Sequence, residues 1–91
     1  MKYEIKTTKK FDKNLEKCKR RNLNIELLWE VVGILESGKS LPAKYKTHKL
    51  KGEYKDCWEC HIQPDWLLVW QQKDKELILI LTNTGTHSDL F

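Results

Sequence analysis

With 91 residues, the chain is long enough for one domain, residues 1–91, and too short to enclose a large cofactor within its own core. Its composition of 40% apolar and 10% aromatic residues argues against disorder, and its longest apolar runs, Trp66–Trp70 and Leu77–Leu81, are too short to span a membrane. The net charge of +4 is uneven, because residues 2–21 and 39–55 carry +6 and +5, and two such basic segments indicate a polyanionic partner.

The first quarter of the chain predicts a short strand followed by a helix. Residues 3–7 (YEIKT) alternate in polarity as a strand does, and Thr7 or Thr8 can cap the helix that follows. Phe11, Leu15 and Cys18 lie at i, i+4 and i+7, so they form one apolar stripe, and lysines cover the rest of this helix.

A second helix is predicted directly after the first. Asn24 is a suitable N-cap, an apolar stripe extends from Ile25 to Leu35, and Gly38 is suited to end the helix. Because the connection between the two helices is short, we expect them to pack as a hairpin.

From residue 47 onwards the polarity pattern changes to the period of two that is typical of strands. Strands are predicted in residues 47–52, 54–63, 66–70 and 76–81, with turns at QPDW and QKDK. The predicted fold is therefore α+β, with the order β-α-α-β-β-β-β and a two-helix hairpin packed on a mostly antiparallel sheet.

The Cys57-x-x-Cys60 pair, followed by His61, invites a metal or redox interpretation. On a strand, residues 57 and 60 point to opposite faces, no second ligand pair is present, and no helix follows the first cysteine. We therefore predict core and surface cysteines, with no metal and no cofactor. The absence of a signal peptide and the odd number of cysteines indicate a reducing, cytoplasmic location.

Three histidines carry the most informative chemistry. Any one of His48, His61 and His87 alone is more often a packed or surface residue, but strand alternation places His48 and His61 where they can share a face, and His87 follows the last strand. Asp65 lies just past the turn after His61. A cluster of imidazoles with a carboxylate and nearby lysines suits metal-free RNA cleavage by general acid–base catalysis.

Three motifs of the second half occur in the order found in a known toxin family. The segments HKLKG, ECHIQPDWLL and TGTHSDLF resemble the YafQ branch of the RelE/ParE toxin superfamily over residues 41–91. The resemblance implies the toxin of a type II toxin–antitoxin system, an endoribonuclease that cleaves messenger RNA in the ribosomal A site. It also implies a cognate antitoxin related to DinJ or RelB, and contact with operator DNA only through the toxin–antitoxin complex.

The resemblance also implies a set of site residues. The family's catalytic positions correspond to His48, His61, Asp65 and His87, and its supporting positions to Glu59, Trp66, Asn83 and Phe91. We expect His87 to be the general acid and His48 or His61 to be the base, with an imidazole oriented by Asp65. Gly85 is expected to allow the turn that brings His87 to the site.

One supporting position departs from the family pattern. Relatives read RTGTH, whereas this chain reads NTGTH, so Asn83 stands where an arginine is expected. Arginine offers phosphate a charged, bidentate fork that asparagine lacks. Either Lys49, Lys51 or Lys55 supplies the missing charge, or the enzyme is weakened, and Asn83→Arg is then expected to raise cleavage.

The basic segments acquire a specific interpretation from the resemblance. These side chains would neutralise phosphates of the ribosome and messenger RNA, or they would bind an acidic segment of the antitoxin. A solvated lysine-rich surface explains the charge equally well. The candidate RNA-binding residues are Lys9, Lys10, Lys13, Lys17, Arg20, Arg21, Lys44, Lys46, Lys49, Lys51 and Lys55.

Two other functions fit the same predicted fold. One is a non-enzymatic, ParE-like inhibitor of DNA gyrase, although ParE-type chains do not need the three histidines. The other is a catalytically weakened module that binds RNA or the ribosome, and Asn83 keeps this alternative open. Fold alone does not distinguish these alternatives from the nuclease.

Overall fold

The computed structural model describes residues 2–90, so the expectation for Phe91 lies outside the described residues. The helices and strands in chain order are β1 (Glu4–Thr7), α1 (Lys9–Arg20), α2 (Ile25–Glu36), β2 (His48–Lys49), β3 (Trp58–Gln63), β4 (Trp66–Lys73), β5 (Ile78–Gly85) and α3 (His87–Leu90). Single 3₁₀ turns flank β2, at Ala43–Tyr45 and Gly52–Tyr54.

The five strands form one sheet in the order β1-β5-β4-β3-β2. Only β1 and β5 are parallel, and the other three pairs are antiparallel. This arrangement confirms the predicted α+β class and the β-α-α-β-β-β-β order. Within residues 2–90, the parallel pair brings the first strand, β1, beside the last strand, β5.

Several predicted strand bounds were wrong: β4 extends to Lys73, into the predicted QKDK turn, and β5 continues beyond Leu81 to Gly85. Residues 54–57 are not part of a strand, because Gly52 has a φ of 69° and begins a 3₁₀ turn that shortens β2 to two residues and delays β3 until Trp58. The chain also continues past β5 into α3. A four-residue helix is too short to produce a helical repeat in the sequence, so no pattern indicated it.

The predicted ends of both long helices are confirmed. The Thr8 hydroxyl accepts a hydrogen bond from the Phe11 amide at 3.0 Å, and the Asn24 side chain accepts one from the Glu26 amide at 3.2 Å. After α2, Gly38 has a φ of 82°, the left-handed conformation that a helix stop requires. Within residues 2–90, no helix is long and apolar enough to cross a membrane.

The sheet buries side chains on both of its faces. Both long helices and the even-numbered residues of β3 (Trp58, Cys60 and Ile62) contribute to the larger core cluster. A smaller cluster of Cys57, Leu67, Val69 and Leu90 is separate from it. Since Glu59 is paired with Val69 and His61 with Leu67, these two polar residues belong to the second face, which we call the histidine face.

The cysteines follow the same division. Cys57 and Cys60 belong to different clusters, as the strand alternation predicted, and all three cysteines are unpaired. None lies at the surface, which corrects the expectation of surface cysteines. Burial raises the pKa of Cys60 to about 12 and also raises that of Cys18 and Cys57, so these thiols are packing groups and not nucleophiles.

Candidate active site

Strand register places two of the histidines on one face of the sheet. His48 of β2 is directly opposite Glu59 of β3, and His61 follows two residues along β3, on the same face as Glu59. The turn after β5 brings His87 to His61, with 6.3 Å between the ring centroids. The structure therefore brings His61 and His87 together directly, and His48 lies on the same face, hydrogen-bonded to Glu59.

His48 is held by two hydrogen bonds. Its Nδ1 lies 3.1 Å from the Lys46 carbonyl oxygen, and because a carbonyl can only accept, Nδ1 carries a hydrogen. Its Nε2 lies 3.1 Å from Oε1 of Glu59, so a proton on Nε2 completes an imidazolium–carboxylate pair. The His48 side chain is half exposed, which leaves one side of the ring open to a ligand.

Glu59 is an unusual partner, because it is a carboxyl group buried in an apolar environment. The residue is 3% exposed, and its second oxygen, Oε2, has no hydrogen-bond partner within the described part of the chain. A buried oxygen without a partner costs free energy of folding. Glu59 is therefore a buried carboxyl group with one oxygen bonded to His48 and the other unsatisfied within the described residues.

His61 is set in a single tautomer by the turn that follows it. Its Nδ1 lies 3.2 Å from the Pro64 carbonyl oxygen and donates to it. In the neutral ring, Nε2 then carries the lone pair, which is the form a general base requires. His87 is exposed and its ring is tilted at 53° to that of His61, so the two imidazoles can flank a group held between them.

The turn that carries His87 depends on Gly85. Gly85 has a φ of 147°, and a Cβ atom added there would lie 2.8 Å from side-chain atoms of Asp89. Asp89 approaches this closely because it caps α3: its carboxylate accepts from the Thr86 amide at 3.0 Å, and its own amide donates to the Thr86 hydroxyl at 3.3 Å. Gly85 therefore allows the turn that leads to His87, as the sequence predicted.

Asp89 is also bound from the far side by Arg21, just after α1. The two guanidinium nitrogens lie 2.7 and 3.4 Å from the two carboxylate oxygens, and we call this contact the Arg21–Asp89 clamp. The clamp and the Thr86 amide lower the pKa of Asp89 to about 2. The stability that this ionised carboxylate contributes is fully present above pH 3.8, the pKa of Asp89 in the unfolded chain. It is lost as the pH falls from 3.8 towards the folded-state pKa of about 2.

The clamp changes the expected role of Arg21. As a candidate RNA-binding residue it was expected to reach phosphate, but its guanidinium is occupied by Asp89 and also lies in the field of Asp65. We therefore infer that Arg21 positions α3, and with it His87. This role could not be found in the sequence, because 68 residues separate the two partners.

The clamp predicts different kinetics for two adjacent arginines. We expect Arg21→Ala to lower kcat about 10-fold or more with little change in KM, because a displaced α3 misplaces His87. Its matched control is Arg20→Ala, at an exposed position of α1, which should mainly raise KM and reduce the salt dependence of binding. If both variants change only KM and salt dependence, Arg21 is an RNA contact after all.

Asn83 lies inside the protein. It is 6% exposed, and its Oδ1 accepts hydrogen bonds from Asn14 Nδ2 at 2.6 Å and from the Thr84 amide at 2.9 Å. These bonds tie α1 to β5. The side chain is thus occupied in linking the two elements, which removes the basis for expecting a gain of activity from Asn83→Arg.

The revised prediction is that Asn83→Arg destabilises the fold. A longer, charged side chain at this site loses two hydrogen bonds and leaves Asn14 unsatisfied, and each such buried group costs about 1–3 kcal/mol. Urea unfolding measures the loss, with Thr7→Arg at an exposed position of β1 as the control. A variant that is as stable as the wild type and cleaves faster would restore the original expectation.

Trp66 lies inside the fold, although it was expected beside the site. Trp66 is 2% exposed and donates its indole N–H to the Thr84 hydroxyl at 3.0 Å within the larger core cluster, so it supports the fold instead of flanking the imidazoles. Asp65 is exposed in the turn before β4. His48 is hydrogen-bonded to the Lys46 carbonyl and to Glu59, and His61 to the Pro64 carbonyl, while the expected role of Asp65 beside an imidazole stays a prediction.

The candidate RNA-binding lysines divide between the two faces. Lys49 lies 6.0 Å from the ring of Trp58, with which it is paired, so it is on the helix side of the sheet and cannot replace the missing arginine. Lys44 lies 5.1 Å from the ring of Tyr45. The remaining candidates are exposed, apart from the half-buried Lys17: Lys9, Lys10, Lys13, Arg20, Lys46, Lys51 and Lys55.

Comparison with protein families finds one match along nearly the whole chain. The family model described as the bacterial toxin of a type II toxin–antitoxin system, YafQ, matches residues 3–91. The mRNA interferase toxin YafQ of Escherichia coli strain K12 is 32% identical over 89 residues, which are 97% of this chain and 95% of the relative.

Solved structures agree with this match. YafQ from E. coli BL21(DE3) superposes with a TM-score of 0.91 at 29% identity and 98% coverage of both chains. YafQ in the E. coli DinJ–YafQ toxin–antitoxin complex has a TM-score of 0.90 at 29% identity, covering 100% of this chain and 99% of the other. A metal-bound toxin from Helicobacter pylori has a TM-score of 0.91 at 47% identity and full coverage of both chains.

Proposed function

The chain belongs to the YafQ family of toxins of type II toxin–antitoxin systems, and from this premise we propose that it is an mRNA interferase that cleaves messenger RNA in the ribosomal A site. The observation that carries the proposal is the pairing of His61 with His87. Their rings are 6.3 Å apart, and the Pro64 carbonyl sets His61 in the tautomer of a general base.

The reaction follows from this geometry. His61 Nε2 takes the proton of a ribose 2′-hydroxyl, and the freed oxygen attacks the adjacent phosphorus, forming a 2′,3′-cyclic phosphate. The bond from phosphorus to the 5′-oxygen breaks, and His87 in its protonated form gives that oxygen a proton. Each proton transfer by a positioned group contributes about 10²–10⁴-fold. The choice of His61 as the base follows from His48, whose two nitrogens are both already hydrogen-bonded.

His48 takes the electrostatic role that was assigned to the missing arginine. Its ring is hydrogen-bonded to Glu59 and half exposed, so in its protonated form it places a positive charge on the histidine face, where charge accumulates on the phosphorane. Exposed lysines extend this positive potential, and the ribosome, as a polyanion, is the surface that they fit. Action on the ribosome places the protein in the cytoplasm.

A DinJ-related antitoxin is the proposed protein partner, since the E. coli relative is solved in complex with DinJ. Net charge supports an acidic antitoxin segment, because the toxin carries +4 overall and +6 in residues 2–21 alone. The antitoxin and RNA would then compete for the same basic surface, and operator DNA would be contacted only through the toxin–antitoxin complex.

Induced expression in a bacterial host tests the proposed function. We expect growth arrest that is relieved by co-expression of the adjacent antitoxin gene, together with new 5′ ends within translated messages at in-frame positions. His87→Ala should abolish both the arrest and the new ends. Arrest that persists in His87→Ala, with intact messages and inhibited gyrase, would instead establish the ParE-like alternative.

The proposed reaction needs no metal, which is directly testable because the H. pylori relative is a metal-bound toxin. Within residues 2–90 no group of three or more His, Cys, Asp or Glu side chains is placed to hold a metal. Cleavage is expected to persist in EDTA. Added Zn²⁺ or Cu²⁺ should inhibit it, because imidazole nitrogens that bind a metal are lost to proton transfer. Loss of cleavage in EDTA would overturn the metal-free mechanism.

A further inference from the structure

A cavity of about 310 Å³ adjoins the candidate active site and has no part in the reaction described above. It lies between α2, the 3₁₀ turn at Ala43–Tyr45 and the end of β3. Its lining includes Leu27, Glu30, Tyr45, Lys46, Ile62 and Gln63, and it also reaches His61.

The cavity exists because β3 is longer than its neighbour. β2 pairs only with Trp58 and Glu59, whereas β3 continues to Gln63, so the outer edge of β3 beyond Glu59 has no neighbouring strand. In an antiparallel strand, alternate residues direct their backbone groups to the same side, so His61, like Glu59, directs its N–H and C=O outwards, towards this edge. Unpaired edge groups of this kind are ready to bind a ligand.

The lining combines apolar surface with a few polar groups. Leu27, Tyr45 and Ile62 provide apolar surface. The Glu30 carboxylate accepts hydrogen bonds, and the Gln63 side-chain amide can both donate and accept them. A nucleobase has the matching properties, namely two apolar faces and a polar edge. The volume is at the lower end of the ~300–1,000 Å³ typical of small-molecule sites, which suits a single base.

The position of the cavity relates it to the proposed reaction. His61 contributes both to the cavity and to the pair that flanks the phosphate, so a base entering the cavity belongs to a nucleotide next to the scissile bond. Lys44 and Lys46, which also line the cavity, supply positive charge for the flanking phosphate. Two further cavities among residues 2–90, one beside Lys49 and Asp56 and one beside Leu35 and Leu41, include no histidine in their lining.

We propose that this cavity binds one unstacked base of the messenger RNA beside the scissile phosphate, and that Glu30 and Gln63 select it. The inference rests on the proposed nuclease function. A carboxylate accepts hydrogen bonds and cannot donate them, so Glu30 favours a base with an amino group, namely adenine, cytosine or guanine. The one ring donor of uracil, N3–H, lies between two carbonyl oxygens that repel a carboxylate, so uracil is disfavoured. Gln63 adds a bidentate contact of the kind that amides make with adenine.

Binding tests the inference without requiring cleavage. Trinucleotides with 2′-methoxy groups lack the attacking hydroxyl, so the intact wild-type chain can be titrated with them and followed by NMR. We expect the Leu27 methyl and Gln63 side-chain amide signals to shift with amino-bearing bases at one position and much less with uracil there. Shifts confined to lysines and the histidine face, or equal for all four bases, would overturn the proposal.

Cleavage provides the second readout. On a set of RNAs that differ at one position, Glu30→Gln should reduce the preference for amino-bearing bases over uracil about 10-fold, which corresponds to roughly 1.4 kcal/mol. Gln63→Ala should change the ranking among those bases. Glu26→Gln, one helical turn earlier on α2 and outside the cavity, is the matched control. Efficient cleavage with an unchanged preference in both cavity variants would refute the base site and leave the nuclease proposal intact.

Discussion

His87→Gln and His61→Asn are each expected to lower the rate of RNA cleavage about 10²–10⁴-fold, because each removes one positioned proton transfer. His61→Asn retains a side-chain N–H that can donate to the Pro64 carbonyl, so the turn is expected to stay in place. His87 is exposed, so its replacement leaves the fold intact. Single-turnover cleavage of a short RNA on programmed ribosomes measures both rates.

A modified substrate distinguishes the acid from the base. When sulfur replaces the bridging 5′-oxygen, the leaving group departs without being protonated, so a missing general acid no longer matters. We expect this substrate to restore most of the rate of His87→Gln and little of the rate of His61→Asn. Restoration of His61→Asn alone would reverse the two assignments, and restoration of neither would remove His87 from the role of acid.

Ser88→Ala is the matched control for this experiment. Ser88 is exposed on α3 and adjacent to His87, so its replacement perturbs the same helix without removing an imidazole. Its cleavage rate is expected to stay within about twofold of the wild type, in line with the small effect of most surface substitutions on the fold. A large loss in this variant would show that the rate is sensitive to α3 itself and not to the imidazole.

Glu59→Gln is expected to lower cleavage about 10-fold or more while leaving the protein as stable as the wild type or more so. The carboxyl group hydrogen-bonds His48 at 3.1 Å, and without it the ring is no longer fixed in place on the histidine face. Stability should not fall, because the substitution removes a buried charge with one unsatisfied oxygen and leaves a half-exposed histidine that water can solvate.

Urea unfolding and cleavage assays on the same samples measure the two effects. Glu59→Leu extends the test, since an apolar side chain of similar size is expected to stabilise the apolar face by roughly 1–2 kcal/mol and to lose the same activity. Glu53→Gln, an exposed carboxyl group in the nearby 3₁₀ turn, is the control and should change neither quantity. If Glu59→Gln unfolds easily, Glu59 is a structural residue and its link to catalysis fails.

Much of the fold could be predicted from the sequence because it depends on neighbours along the chain. The caps at Thr8 and Asn24 and the stop at Gly38 are local signals, and the structure contains all three. Cys57 and Cys60 lie in different clusters, as expected, although Cys57 precedes β3 and is not itself in a strand. Where the local signal was weak, in residues 54–57 and in the four residues of α3, the predictions of secondary structure were wrong or missing.

The candidate site was only partly predictable for the opposite reason. The sequence by itself indicated which residues carry the chemistry, because three histidines in family motifs need no coordinates to be recognised. Only the tertiary structure showed that a buried carboxyl group, Glu59, meets the imidazole of His48. It also showed that Arg21 holds α3 and that Asn83 joins α1 to β5. These contacts join residues that are far apart in the chain, and they depend on strand register and on where the helices pack. The periodicity and spacing of residues in a sequence do not specify which two distant residues meet.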